Sequence, residues 1–325
     1  MSSQAQHYQK WIEKEIAGHR YGSAPPSLYD PIRYLMGIGG KRLRPMLTLF
    51  AYALYRADVR RILPYAIAVE TFHNFTLMHD DIMDKAPLRR GNQTVHEKWN
   101  VNTAILSGDV MLVKVYEMLL SVEPQKIKRT LQAFNKCAAE VCEGQQWDMT
   151  FEQEDTISEK VYINMIRQKT AVLIGFSLEL GGILAEAPEA DCIALRQFGI
   201  NIGIGFQLKD DLLDAYADPG KFGKQVGGDI IANKKTFLLI KAQELADRKQ
   251  KPELAKWLKA KKFNKKEKVA AVKSIYDQLG VGEMTERKVN YFFRKGFSNL
   301  NSLSCGEGKS RDLISFAEEL IGRQS

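Results

Sequence analysis

The sequence predicts an all-α protein, a single helical domain over residues 1–325. Three observations carry that reading. Apolar residues recur at spacings of three and four along almost the whole chain, the period of one helix face. No run alternates apolar and polar residues between hairpin turns, so nothing predicts a sheet. The breaks between periodic stretches are short, and no Ser/Gly-rich linker or shift in composition marks a second domain.

Taken in order, the opening helix is amphipathic over about 5–19 and stops around Gly18. A loop with Pro25 and Pro26 leads to a helix near 28–36, then to Gly37-Ile38-Gly39-Gly40-Lys41-Arg42-Leu43-Arg44-Pro45 and a helix over 46–55. Pro64 sits early in a long apolar helix reaching about Lys85, as a first-turn proline should, and Pro87 closes it. Further helices are predicted over 94–99, 102–121, 125–150, 158–184 and 190–216. Gly199 and Gly203, four apart on the last of these, predict close approach of another helix. Asp218-Pro219-Gly220 is a strong breaker, after which helices follow over 232–247, 252–260, 265–279, 281–298 and 309–323.

Composition narrows the class. At 45% hydrophobic and 26% charged, the 325 residues have an ordinary globular balance and can bury a large core. Cysteines stand at 137, 142, 192 and 305 with no CxxC pair and no zinc-finger spacing, which fits reduced thiols in the cytoplasm. Met1 to Arg20 lacks the apolar core of a signal peptide. The longest apolar run, Thr170 to Ala185, is interrupted by Glu179 and is too short to span a bilayer, so no stable membrane insertion is expected. The net charge of +8 and pI near 9.1 admit nucleic acid, an anionic surface or anionic small substrates as partners. Lys256 to Lys268 holds part of that surplus and reads as a solvated helix face, so nucleic acid is not expected.

The sharpest signal is His79-Asp80-Asp81-Ile82-Met83-Asp84, a knot of carboxylates at the end of an apolar helix. Asp80 and Asp84 at i and i+4 point the same way, with Asp81 on the adjoining face. Like charges so close need a cation, and a partial set of hard oxygens suits Mg²⁺ that also holds substrate phosphates. A single cluster could be a solvated helix end. A second, Asp210-Asp211-Leu212-Leu213-Asp214, also closes an apolar helix. Cations follow both: Arg89 and Arg90 after the first, Lys224 and Lys234 after the second. Metals gripping some phosphate oxygens and Arg or Lys gripping the rest would make one diphosphate site. Lys41 and Arg44 on the Gly-rich turn offer a further cationic site. Lys169-Thr170 lies on an apolar helix, where a lysine is costly without an anion. Gln207 stands one turn before Asp210 and would face the same site, while His73 and His79 are each either ligands or core histidines.

These residues resemble the trans-type polyprenyl synthetases, the head-to-tail isoprenyl diphosphate synthases. The matching stretches are GGKRLRP at 39–45, HDDIMD at 79–84, RRG at 89–91, GDVML at 108–112, GQQWD at 144–148, KTA at 169–171, FQLKDDLLD at 206–214, FGK at 222–224, GGD at 227–229 and NKKT at 233–236. The resemblance implies a homodimeric helical bundle of the isoprenoid synthase type, with a deep central cavity and the two Asp clusters facing each other at its mouth. By the same resemblance, Asp80, Asp81, Asp84, Asp210, Asp211 and Asp214 hold Mg²⁺ on an allylic diphosphate (dimethylallyl, geranyl or farnesyl). Arg89, Lys169, Lys224 and Lys234 meet that diphosphate. Lys41, Arg44, His73 and Arg90 bind isopentenyl diphosphate, Gln145 and Asp148 support the metal site, and Thr170 and Gln207 face the allylic cation.

Product length is implied by the residues before the first cluster. Phe75 and Thr76, an aromatic followed by a small residue, resemble geranylgeranyl diphosphate synthases of the archaeal type, with Phe75 as the floor beneath the growing chain. Farnesyl synthases of the animal type carry aromatics at both positions, and long-chain enzymes small residues at both. A farnesyl synthase and a non-catalytic partner subunit are the alternatives; the second would tend to lose an aspartate cluster, and both are intact. Asn233 departs from the glycine many members carry, and the C-terminus lacks the basic tail of some farnesyl synthases.

Overall fold

A computed structural model of the chain describes residues 3–217 and 226–322. Among them, apart from one two-residue hairpin, the regular structure is helical, and the residues group into two compact units.

The first unit comprises residues 1–137, 173–196 and 302–317. It contains α1 (Ser3–Gly18), α2 (Pro26–Gly37), α3 (Leu43–Ala53), α4 (Leu63–Met83), α5 (Val95–Lys98) and α6 (Val101–Leu120). α4 buries residues on every side, from Ala66 and Ile67 through Phe72 and Asn74 to Met78 and Asp81, and so is a core helix rather than a surface one. Pro64 sits in its first turn as expected. Its helical hydrogen bonding ends at Met83, with Asp84 as the cap, so Pro87 lies beyond the helix. α3 starts at Leu43, three residues earlier than the expected start at 46, because Pro45 is tolerated within a first turn. The unexpected hairpin pairs β1 (Leu88–Arg89) with β2 (Asn92–Gln93) around Arg90-Gly91, too short to leave a period-2 pattern.

α6 is two-faced. Ala104, Ser107, Met111, Val115 and Met118 are buried, whereas Leu106, Val113 and Leu120 are exposed apolar residues seven apart. Asn100 caps its start by accepting from Thr103 N–H at 2.8 Å.

The second unit comprises residues 138–172, 197–301 and 318–325. The predicted helix over 158–184 is divided: α8 (Glu159–Ile166) gives way to a π-helical turn, Arg167–Ala171, before Val172–Leu184, which is α9 and from Leu173 on belongs to the first unit. π turns are rare and concentrate at functional sites. α10 (Glu189–Tyr216) carries the second carboxylate cluster at its end. The expected helix over 232–247 is shorter, α12 (Phe237–Leu245), and a separate short helix, α11 (Gly228–Ile231), precedes it. Between them Asn233 has φ of 56°, the left-handed conformation glycine adopts most easily and asparagine next. Its departure from glycine is thereby accommodated. The Asn233 side chain also donates to Leu258 O at 2.9 Å and accepts from the buried Lys268 Nζ at 2.6 Å.

α13 (Gln250–Lys259), α14 (Lys265–Leu279) and α15 (Val281–Leu300) complete this unit. Ile230, Leu239, Leu254, Val272, Ile275 and Tyr276 share one core. No described helix is long and apolar enough to cross a membrane.

Candidate active site

The first cluster splits by function along α4. Asp84 N–H donates to Asp80 O at 2.8 Å, which sets the two carboxylates one turn apart on one face. Asp81 turns inward and is 1% exposed. A buried carboxylate requires a partner, and Arg89 from the hairpin supplies it: Nε donates to Oδ1 at 2.9 Å and Oδ2 at 2.8 Å, and Nη2 to Oδ1 at 2.6 Å. Arg89 Nη2 also lies 3.8 Å from Asp80 Oδ2. Burial works against the guanidinium charge, but the Asp81 bonds and the charges of Asp81, Asp80 and Asp84 outweigh it, and the Arg89 pKa is raised.

Four basic residues of the Gly-rich turn and its surroundings have separate tasks. Arg42, absent from the residues singled out by sequence, is buried with φ of 47°. Its Nε donates to Glu13 at 2.9 Å, Nη1 to Glu70 at 2.8 Å and Nη2 to Met36 O at 2.7 Å. It therefore clamps the turn to α1, α2 and α4. Arg44, two residues on, is half-buried in the first turn of α3, and Nη1 donates to His73 Nε2 at 3.1 Å. Burial lowers the His73 pKa well below its ordinary value, with the charges of Arg44 and Arg90 adding to the effect, so the ring is neutral and Nε2 accepts. Among the described residues Arg44 Nε is buried without a hydrogen-bond partner. Arg90 donates from Nη1 to Gly39 O. Gly40, at φ of 150°, permits this approach, since a Cβ there would lie 2.5 Å from Arg90 Nη1. Arg44, His73 and Arg90 thus gather at one turn with donor capacity in hand, the chemistry of an anion site. Lys41 is exposed beside them.

In the second unit, the π turn presents Lys169 and Thr170 side by side. Lys169 Nζ donates to Asp148 at 2.6 Å, and Gln168 Nε2 to Glu143 at 2.6 Å. α7 (Pro124–Phe151) offers Gly144 at this contact, because a Cβ there would stand 2.2 Å from Lys169 N. Thr170 Oγ1 donates to Gln207 Oε1 at 3.1 Å, and Gln207 Nε2 to Asp211 Oδ1 at 3.1 Å. Tyr162 on α8 donates its hydroxyl to Asp211 Oδ2. These groups, with Asp229, Lys234 and Thr236, line a cavity of about 100 Å³. Gln145 is half-buried on α7.

The second cluster is also divided. Asp210 is exposed and Asp211 buried. Burial, with Asp229 and Asp210 nearby, pushes the Asp211 carboxyl up to about 7 against the pull of its Tyr162 and Gln207 bonds. Asp214 Oδ2 accepts from Asp229 N–H at 2.9 Å, and Gly227 N–H donates to Asp214 O at 2.7 Å, so the glycines of Gly227-Gly228-Asp229 let α11 start against this aspartate. Lys234 is held nearby through its own N–H to Asp229 O at 2.9 Å. Lys224 lies outside the described residues.

Among the described residues, no three or more His, Cys, Asp or Glu converge closely enough to enclose a metal by themselves. What α4 offers is two carboxylates on one face, Asp80 half-buried and Asp84 exposed. That is a partial, all-oxygen donor set, which fits a hard divalent cation completing its shell with phosphate or water.

The Polyprenyl synthetase family profile matches residues 25–279. The chain belongs to the polyprenyl synthetase family. It is 38% identical to the geranylgeranyl pyrophosphate synthase of Geoglobus acetivorans over 317 residues, 97% of this chain and 96% of that protein. It is 37% identical over 239 residues to the geranylfarnesyl diphosphate synthase of Natronomonas pharaonis, 68% of this chain and 70% of that protein. A crystal structure of a geranylgeranyl pyrophosphate synthase superposes with a TM-score of 0.94 at 41% identity, covering 100% of both chains. The fold is therefore the all-α isoprenoid synthase fold, and the protein is a prenyltransferase. The sequence singles out most of the polar groups described above, but not Arg42, whose only signal is its place inside Lys41–Arg44, or Tyr162, an isolated tyrosine with no motif to mark it.

Proposed function

We propose that the protein condenses isopentenyl diphosphate head-to-tail with an allylic diphosphate in a Mg²⁺-dependent reaction, with geranylgeranyl diphosphate as its main product. The likeness to a geranylgeranyl pyrophosphate synthase over 97% of this chain carries the reading. Residues 1–325 act as one synthetase domain, in a cytoplasmic homodimer. The exposed stripe Leu106, Val113 and Leu120 on α6 supports the dimer, since apolar residues at heptad spacing suit a paired helix.

The residues divide the chemistry. Likeness to this family supports Asp80 and Asp84 of the first unit and Asp210 of the second as the carboxylates that would hold Mg²⁺. When bound, the ion neutralises charge on the departing diphosphate. Lys169 and Lys234 add positive charge there, and Arg89 braces Asp81 while standing close to Asp80. Arg44, Arg90, neutral His73 and Lys41 hold isopentenyl diphosphate by its own diphosphate, so that its double bond meets the allylic carbon in line. The allylic C1–O bond breaks with loss of diphosphate, C1 joins C4 of isopentenyl diphosphate, and the released diphosphate takes the proton that leaves C2. Thr170 and Gln207 face the allylic cation with oxygen dipoles and no strong nucleophile. Phe75, buried five residues before Asp80 on α4, limits chain growth to four prenyl units.

Incubation with dimethylallyl, geranyl and farnesyl diphosphate in turn, plus labelled isopentenyl diphosphate, tests both levels. Sizing should show geranylgeranyl diphosphate from all three primers. A dominant farnesyl product would overturn the length, and absence of any elongation would overturn the reaction. The likeness to a geranylfarnesyl synthase makes one unit longer the competing result.

A further inference from the structure

We infer that Asp211 and Tyr162 are positioning residues, anchoring a hydrogen-bonded chain Tyr162–Asp211–Gln207–Thr170 that turns the lone pairs of the Thr170 hydroxyl toward the reacting carbon. The inference rests on the prenyl-transfer reading and assigns Asp211 a task other than metal binding.

The polarity of the chain follows from what each group can do. Tyr162 donates its hydroxyl to Asp211 Oδ2, which leaves Oδ1 as the acceptor for the amide nitrogen of Gln207 at 3.1 Å. That fixes the amide the other way round at its far end, so Oε1 faces Thr170. Oε1 also only accepts, and Thr170 Oγ1 accordingly spends its proton on it at 3.1 Å. The hydroxyl is left with lone pairs, not a proton, for whatever occupies the cavity that Thr170, Gln207, Asp211 and Tyr162 line. Tyr162 closes the other end, its hydroxyl donating to Asp211 Oδ2. Both oxygens of Asp211 are thus taken by protein donors, and the residue is 5% exposed. To bind a metal it would have to surrender one of these bonds.

The direction matters because a cation is repelled by a hydroxyl proton and attracted by its lone pairs, with little solvent to screen either. Without the anchor, Gln207 can rotate its amide, present N–H to Thr170 and reverse the hydroxyl. The substrate would still bind, but the positively charged carbon would lose its dipole.

Binding measurements separate this from a structural or metal-ligating role. Two inert ligands are compared by calorimetry with Mg²⁺ present: an allylic bisphosphonate carrying an ammonium at the position of the cationic carbon, and its neutral carbon isostere. Wild type should prefer the charged ligand. In Tyr162→Phe and Asp211→Asn that preference should fall about tenfold, with the neutral isostere bound as before and kcat reduced about ten- to a hundredfold at little-changed KM. The Mg²⁺ concentration giving half-maximal thermal stabilisation with the neutral isostere should not move. In a Gln207→Ala background, Tyr162→Phe should add little, because the chain is already cut. Equal loss of both ligands with a raised Mg²⁺ requirement would overturn the proposal in favour of a metal ligand, and an unchanged preference would overturn it outright. Failure of wild type to bind either ligand would overturn the prenyl-transfer reading instead.

Discussion

Replacing Phe75 with alanine asks whether one ring sets the length of the product. Phe75 is 9% exposed, and its ring packs 5.6 Å from that of Phe72 and 4.8 Å from that of His79. Thr76 does not compete for the space, because its hydroxyl is tied to His73 O at 2.8 Å. Truncation at Phe75 moves the floor back to Phe72, three residues along α4 or about 4.5 Å at 1.5 Å per residue. That is room for one more prenyl unit rather than several. Phe72 itself is backed by Phe134 at 5.1 Å, and Phe134 by Tyr116 at 5.2 Å and Phe176 at 5.7 Å. Phe75→Ala should therefore shift the main product from four units to five, and Phe72→Ala added to it should lengthen the product again until the Phe134 cluster stops it. A buried Phe→Ala change costs about 3–5 kcal/mol, so a cooperative melt must be seen before products are sized by reversed-phase chromatography of the dephosphorylated alcohols. A folded Phe75→Ala protein with the wild-type product profile would remove Phe75 as the floor. A jump straight to long chains would mean that Phe72 and Phe134 do not form a second barrier.

Asp80→Ala should lower turnover about 10³-fold or more while the protein keeps its melting temperature, and chelation of divalent ions should match that loss in wild type; a loss of less than about tenfold in either case contradicts the metal assignment. Arg42→Met leaves Glu70, whose side chain is 3% exposed, without its charged partner, and should cost about 3–5 kcal/mol in urea unfolding, whereas Arg44→Met should spare stability and raise the KM for isopentenyl diphosphate. Val113→Lys on the outer stripe of α6 should convert the proposed homodimer to monomer by light scattering, and a mass unchanged from a dimeric wild type would place the interface elsewhere. Burial raises the Glu179 carboxyl pKa, with Arg196 at 3.5 Å offsetting only part. Since the folded pKa then exceeds the unfolded one, the charged form costs stability as pH rises above the carboxylate range. Glu179→Gln should melt at or above wild type near pH 7 and converge with it toward about pH 4.

Helix type and order were legible because burial imposes the 3.6-residue period regardless of detail. The misplaced features are those in which a local contact overrides that period. The π turn at Arg167–Ala171 has no periodic trace: its residues are anchored from outside, Arg167 by Glu140 at 2.9 Å, Gln168 by Glu143 and Lys169 by Asp148. The hairpin at 88–93 is too short to alternate. Among the site residues, a motif could announce that Lys41, Arg42 and Arg44 matter but not which of them would be buried. That was decided by the left-handed backbone at Arg42, which sends its side chain between Glu13 and Glu70.

The same distinction runs through the aspartates. Adjacent residues on a helix are about 100° apart, so the first two carboxylates of an Asp-Asp-x-x-Asp run cannot share a face. If one looks outward from a helix packed in a core, the next is driven inward and must find donors there. Asp81 and Asp211 occupy equivalent places in their runs and meet this demand differently. Asp81 takes a guanidinium, which donates to both of its oxygens. Asp211 takes a phenol and an amide, neutral donors that leave its carboxyl raised to about 7. A guanidinium braces one rigid ion beside Asp80. An amide transmits orientation, since its two ends differ, and the residue at its other end is Thr170. The repeated motif is therefore symmetric in sequence and asymmetric in use: the first inward aspartate steadies the charge of its own cluster, and the second sets the direction of a dipole elsewhere in its unit.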